Sequence, residues 1–307
     1  MVSPKVVVFG DIMLDRYYQA TTKKSPEHDG LCIVNPIFDH SSPGGAGNVA
    51  MCLARMGIPT IIIGMTGTNI LDDSGAHAPL KKYLIDGTTL GWIDLDCKKD
   101  RYMCGDETIT RIDLDPHFNA FRKYDKHVLE MIEDIPDSCE VLITSDYAKG
   151  SITESILQTL KGRFRTWIAD PKKEFFDAYK TDEIIIKPNS AEALALTSTD
   201  NTLDAITKLA DWTPGQVVVT NGKEPIHYDD KKHPFGLVFP GQRKPKTVVG
   251  AGDVMTAVLA VGALEGWDLR TGLEAAVKGC ERMMSLPAGN TLDIESWNHI
   301  VTEVAED

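Results

Sequence analysis

Residues 140–171 read "EVLITSDYAKGSITESILQTLKGRFRTWIADP". "EVLITSD" (140–146) is a short apolar run that ends on turn-forming residues, the pattern of a strand. "SITESILQTLKGR" (151–163) predicts a helix, and "TWIADP" (166–171) a second strand that runs into a proline turn. The strand runs are apolar throughout rather than alternating. That suits strands covered on both faces, as in a parallel sheet wrapped by helices.

The same unit recurs on both sides. Upstream, "KVVVFGD" (5–11) and "TIIIGMTG" (60–67) are buried strands flanking "GGAGNVAMCLARMG" (44–57), a glycine turn into a helix that Gly57 ends. Downstream, "EIIIKPN" (183–189) and "QVVVTNG" (216–222) are strands, with helices predicted over 125–135, 190–196, 202–211, 251–265 and 271–284. "LCIVNPIF" (31–38) holds a proline and reads as an edge strand. "RYMCGDETITRIDL" (101–114) has strand-like stretches. The expectation is one α/β domain over 1–307 with a mostly parallel central sheet and helices on both faces. A small β lid is expected from segments at about 12–42 and 97–115.

Composition sets outer limits. With 42% hydrophobic and 25% charged residues, the 307-residue chain can build a sizeable core without staples. A net charge of −13 with no long basic run argues against nucleic acid and anionic membranes as partners. The six cysteines form no C-x-x-C pair, which suits a reducing cytoplasm. No apolar run is long enough for a signal-peptide core or a membrane span.

Ligands of such sheets bind beyond the carboxyl ends of the strands. Asp11, Asp146, Asp170, Asn189 and Asn221 all fall at such ends. Each alone would be a good turn residue, but five together point to a site. Glycine turns add to this. Gly250-Ala251-Gly252-Asp253 precedes a helix whose unpaired amides and dipole make an anion hole for a phosphoryl group. An acidic residue in a first helical turn also satisfies the helix dipole with no chemistry, so both readings of Asp253 stay open. Gly44-Gly45-Ala46-Gly47-Asn48 is either a tight turn before a buried helix or a backbone surface for a polyol. Phosphate-loop, dinucleotide, nucleophile-elbow and zinc-protease motifs are absent from the sequence.

"PGGAGNVAMCLARMG", "IIIKPNSAE" and "VVGAGDVMTA", in this order, resemble the sugar, N-x-x-E and GAGD signatures of the ribokinase-type (PfkB) carbohydrate kinases. "VVVFGDIMLDRYY", "TKKSPE", "TSDYAKG" and "ADPKK" resemble that family's heptose 7-phosphate kinase branch. The resemblance implies a ribokinase-like fold and phosphoryl transfer from ATP, with Mg²⁺, to the anomeric hydroxyl of a heptose 7-phosphate in lipopolysaccharide precursor synthesis. It implies Asp253 as general base, with the amides of Gly250, Ala251 and Gly252 on the transferring group. Asn189 and Glu192 would organise Mg²⁺. Lys172, Lys187, Thr220 and Gly222 would lie near the nucleotide. Asp11, Asp15, Gly44, Gly45 and Asn48 would hold the sugar. Lys99, Arg101, Arg111 and Lys149 are the candidates for gripping the sugar's own phosphate. Lids in this family pair between subunits, so a homodimer is implied. The relatives' nucleotidyltransferase domain is not expected in a chain ending at Asp307.

The chain departs from the family pattern at four places. Thr247 replaces the acidic residue of a cation-binding loop, and Val249 replaces a hydroxyl residue. His28-Asp29-Gly30 replaces an apolar lid strand, and Pro225 replaces a second nucleotide-side glycine. A kinase for free sugars or nucleosides would need no cluster of Lys and Arg. A non-catalytic sensor on the same scaffold would not need to keep Asp253, Asn189 and Glu192 together.

Overall fold

The computed structural model describes residues 3–27, 32–67, 89–93, 97–105, 107–115, 125–172, 177–241, 245–287 and 289–306. His28, Asp29 and Gly30, the polar lid insertion, lie outside the described residues.

The first half holds β1 (Val6–Lys24), β2 (Cys32–Gly45), α1 (Ala46–Arg55), β3 (Thr60–Gly67), β4 (Thr89–Ile93), β5 (Lys98–Cys104), β6 (Glu107–Leu114), α2 (Asp125–Glu133) and β7 (Val141–Ser145). The second half holds α3 (Glu154–Leu160), β8 (Thr166–Asp170), β9 (Ile184–Ile186), α4 (Ser190–Thr197), α5 (Thr202–Trp212), β10 (Gln216–Asn221), β11 (Glu224–Asp229), β12 (Gly236–Val238), α6 (Ala251–Glu265), α7 (Leu269–Met284) and α8 (Ile294–Glu306).

The central sheet runs β12-β11-β10-β9-β8-β7-β1-β3-β4. Pairing is parallel from β10 through β4, and only β11 and β12 are antiparallel. Strand alternation explains why both faces are apolar. Val6 and Val8 pack against α1, α6 and α7, while Val7 and Phe9 pack against α2 and α3. Each fully buried aliphatic or aromatic side chain contributes about 1.5–3 kcal/mol. The expected α/β class, with helices on both faces of a mostly parallel sheet, is the one observed.

The lid is built on β1 itself. Residues 6–11 of β1 lie in the central sheet. The strand then continues outward, pairing antiparallel with β2 from Ile12↔Gly45 to Lys24↔Cys32 and parallel with β5 from Leu14↔Lys98 to Gln19↔Met103. β5 and β6 form a hairpin. Several expected bounds need correction. The edge strand at 31–38 extends to Gly45, because its whole length finds a partner in β1, so α1 follows with no separate turn. The helix expected at 151–163 spans only 154–160: Ser151 N–H is held by Asp11, and Gly162 takes φ +73°. The strand expected at 183–189 keeps only 184–186 before Pro188 removes a ladder donor. The helix at 125–135 is confined to 125–133. β4, β11, β12 and α8 have no counterpart in the sequence reading.

Candidate active site

The carboxyl ends of β1, β7, β8, β9 and β10 and the amino end of α6 meet under the lid. Gly250 adopts φ +87°, the left-handed conformation that glycine takes without strain, and so turns the chain into α6. Asp253 follows in the first turn and is only 7% exposed. Asn48 Nδ2, on α1, donates to one of its oxygens at 2.6 Å, and Tyr147 Oη donates to the other at 2.8 Å. Burial pushes the Asp253 carboxyl up to about 6, with Asp170 adding to the rise and the Asn48 and Tyr147 hydrogen bonds and Lys187 opposing it. A buried carboxyl that is ionised near neutrality and held by two donors is suited to accept a proton. A Cβ on Gly252 would meet no atom within 4 Å, so open space lies before the first turn of α6. There the helix presents amides without intrahelical partners. The Ala251 N–H is already engaged by Val248 O at 3.3 Å.

The glycines at 44 and 45 serve packing. A Cβ on Gly45, at φ +60°, would lie 2.4 Å from Asp11 O, and one on Gly44 would lie 3.0 Å from Asp15 Oδ2. Their absent side chains let β2 close on β1 and aim Asn48 at Asp253. Asp11 is turned toward backbone: its oxygens accept from the N–H groups of Tyr147, Lys149 and Ser151 at 2.8, 3.0 and 3.1 Å. Its observed contacts shape the loop after β7 rather than open space.

The inner lid face carries Asp15 on β1, Lys99 and Arg101 on β5, and Arg111 and Asp113 on β6, with Lys99 opposite Asp113 and Arg101 opposite Arg111. Arg111 is engaged by Asp113 at 2.8 Å, and Lys149 by Asp115 at 2.5 Å. Arg101 stands 3.7 Å from Asp15, too far for a hydrogen bond. Asp15 Oδ1 and Arg101 Nε are buried with no hydrogen-bond partner among the described residues. Orphaned polar atoms of this kind are costly unless a ligand answers them. Burial raises the Asp15 carboxyl and lowers the Lys99 ammonium. A cavity of about 330 Å³ opens between this face and the turn at 245–249, lined by Tyr17, His40, Arg101, Thr108 and Thr247 among others. A larger cavity, about 390 Å³, lies at the opposite pole, near Thr166, Ile184, Gln216 and Trp267. It lies at the amino ends of β8, β9 and β10, the end of the sheet away from Asp253.

At the ends of β8 and β9, Lys187 is buried and bonded to Asp170 Oδ2 at 2.9 Å. Burial alone would lower Lys187, but the charge and hydrogen bond of Asp170 outweigh it and raise it. Lys172 pairs with Glu192 Oε1 at 2.5 Å. Asn189 and Glu192 form a capping box on α4: Glu192 N–H donates to Asn189 Oδ1 at 3.0 Å and Asn189 N–H to Glu192 Oε2 at 2.9 Å. Thr220 bridges Asn189, and Gly222, at φ +59°, turns from β10 into β11. Among the described residues no three His, Cys, Asp or Glu side chains form a metal cage. Asp170 and Glu192 offer single carboxylates instead, a donor set that fits Mg²⁺ carried on nucleotide phosphates. Of the departures, Thr247 accepts the Val249 N–H through its hydroxyl at 3.1 Å, and Pro225 sits in β11.

Tyr147 and Asp170 are the site residues to which the sequence reading gave no role. The signal for both was position: Tyr147 follows strand-end Asp146, and Asp170 itself ends β8.

This architecture is shared with solved sugar kinases. A mutant of phosphofructokinase-2 from Escherichia coli superposes with a TM-score of 0.74 at 18% identity, covering 99% of this chain and 100% of that one. Ribokinase from Thermotoga maritima gives 0.73 at 17%, covering 97% and 99%. The fold is therefore ribokinase-like. Residues 155–279 match the pfkB family carbohydrate kinase. Among curated relatives, the bifunctional protein HldE of Pseudomonas fluorescens (strain SBW25) is 28% identical over 280 residues, which are 86% of this chain and 56% of the relative. HldE of Pseudomonas paraeruginosa is 28% identical over 284 residues, 88% and 58%. The chain spans about half the length of the curated relatives it matches.

Proposed function

We propose that this chain transfers the γ-phosphoryl group of ATP to the anomeric hydroxyl of D-glycero-D-manno-heptose 7-phosphate, releasing ADP and the 1,7-bisphosphate. The observation that carries the reading is Asp253, buried at the amino end of α6 and held by Asn48 and Tyr147. The acceptor oxygen attacks the γ-phosphorus, its proton passes to Asp253, and the bond to the ADP oxygen breaks. The amides at the start of α6 face the charge on the transferring group. Mg²⁺, when bound, neutralises the nucleotide phosphates, with Asp170 and Glu192 as the carboxylates within reach of its waters. Lys172 and Lys187 keep the nucleotide side cationic, with Thr220 and Gly222 beyond them.

A sugar that already carries a phosphate fits the inner lid face, where Arg101 lines the cavity and Lys99 lies two residues before it on the same strand. Arg111 and Lys149 answer Asp113 and Asp115, so they are the weaker candidates for that grip. The relatives named HldE support a heptose. A structural neighbour solved with fructose-6-phosphate, a hexose phosphate, supports only a phosphorylated acceptor. We assign the reaction to the cytoplasm, where ATP is supplied, and read the chain as one kinase domain that dimerises through the outer lid face. Phe38, Ile112 and Leu114 lie exposed on the lid strands.

The test is ADP release from Mg-ATP against a panel of heptose 7-phosphates, hexose phosphates, free pentoses and nucleosides. Turnover with the heptose 7-phosphate above every other acceptor is expected, with Arg101→Ala raising its KM at least tenfold. Preference for an unphosphorylated acceptor, or an unchanged KM in Arg101→Ala, contradicts the assignment.

A further inference from the structure

Asp11, Tyr147 and Asp253 form a chain of contacts for which the reaction itself supplies no explanation. The loop after β7 folds around the buried Asp11 carboxylate, which accepts three of its backbone N–H groups. Ala148 in that loop takes φ +56°, an unusual conformation for a residue with a side chain, and Asp146 Oδ1 accepts its N–H at 2.7 Å. The loop is thereby over-determined, and its fixed product is the place of Tyr147. The Tyr147 hydroxyl donates to Asp253 Oδ1 at 2.8 Å. Its ring lies beneath two cations from different elements, Lys99 Nζ at 4.8 Å and Lys172 Nζ at 5.9 Å from the centroid. One side chain therefore touches the carboxylate on α6, the lid and the nucleotide side.

We propose that Tyr147 is the positioning residue of this site, fixing the Asp253 carboxylate by its hydroxyl and the Lys99 and Lys172 side chains by its ring. The inference rests on Asp253 as the proton acceptor. With Asn48 holding one oxygen and Tyr147 the other, the carboxylate cannot rotate. A hydroxyl donor also stabilises the ionised carboxylate. The charged and titratable groups facing the pair are Asp15 on β1, Lys99 on β5, Cys52 on α1, Asp170 and Lys172 at and beyond the end of β8, and Lys187 after β9. None of them is altered by removing the Tyr147 hydroxyl.

The test is a carboxyl-carbon NMR titration of Asp253, assigned with Asp253→Asn, in wild type and Tyr147→Phe. It is paired with pH profiles using Mg-ATP and heptose 7-phosphate. In Tyr147→Phe the Asp253 midpoint is expected to move up by about one pH unit. The acid limb of kcat should move with it, kcat at pH 6 should fall about fivefold, and KM for ATP should stay within twofold. Tyr147→Ala should in addition raise KM, because the ring under both lysines is gone. An Asp253 midpoint unchanged in Tyr147→Phe overturns the proposal. If Tyr147→Phe does not fold, 3,5-difluorotyrosine at position 147, a stronger donor, must lower the midpoint, and no movement is again fatal. Wild-type kcat in Asp253→Asn would remove the general-base reading, while the titration would still decide whether Tyr147 sets the carboxylate.

Discussion

At Asp253 the fold works against itself. The carboxyl titrates at about 6 in the folded chain against an ordinary 3.8. The folded state therefore holds the proton more tightly than the unfolded one. Stability is full below pH 3.8 and declines as pH rises through about 6, for a total cost of about 3 kcal/mol. Asp253→Asn should be more stable than wild type at pH 8 by up to that amount, and the gain should vanish near pH 4, as read by urea melts at both pH values. Gly252→Ala makes a similar separation of stability from function. Its methyl meets nothing in the folded chain and favours the helix by about 1 kcal/mol. It also fills the space before the first turn, so Tm should hold or rise while kcat falls at least tenfold. At this scale the sequence marked candidate residues better than it showed what each one touches. The glycine–aspartate turn marked Asp253, but nothing local could show that Asp11 would bond to backbone amides, or that Tyr147, unremarkable in "TSDYAKG", would reach α6.

Among the elements, β1 does the most. One strand of 19 residues serves the central sheet and then the lid. Its passage is tight: a Cβ on Gly10, at φ +155°, would lie 2.1 Å from Ser145 O on β7, and one on Gly64 of β3 would lie 2.5 Å from Gly10 O. Gly10→Ala should therefore destabilise the chain by about 3 kcal/mol or more, measured by denaturant melts, because the β7 backbone at Ser145 must move. The apolar strands and most helices were legible as periodic runs. The unbroken β1 was not, because residues 15–24 are mostly polar and aromatic, and only their pairing with β2 and β5 makes them a strand. β11 and β12 were hidden likewise: a short antiparallel edge with few apolar residues carries little periodicity.

For the whole molecule, the lid has an inner face of charges and an outer face with Tyr18 stacked on Tyr102 at 5.1 Å beside exposed Phe38 and Ile112. A dimer through that outer face should sediment as two chains. Phe38→Lys combined with Ile112→Lys should give a monomer of 33.7 kDa. An unchanged sedimentation coefficient would place any dimer contact elsewhere. The central claim is that Asp253 takes the acceptor's proton during phosphoryl transfer. Single-turnover transfer from Mg-ATP to heptose 7-phosphate, followed in wild type and Asp253→Asn at pH 7.5, tests it most directly. Loss of rate by a factor of about 10²–10⁴ with both substrates still bound is the expected result; transfer at the wild-type rate would contradict it.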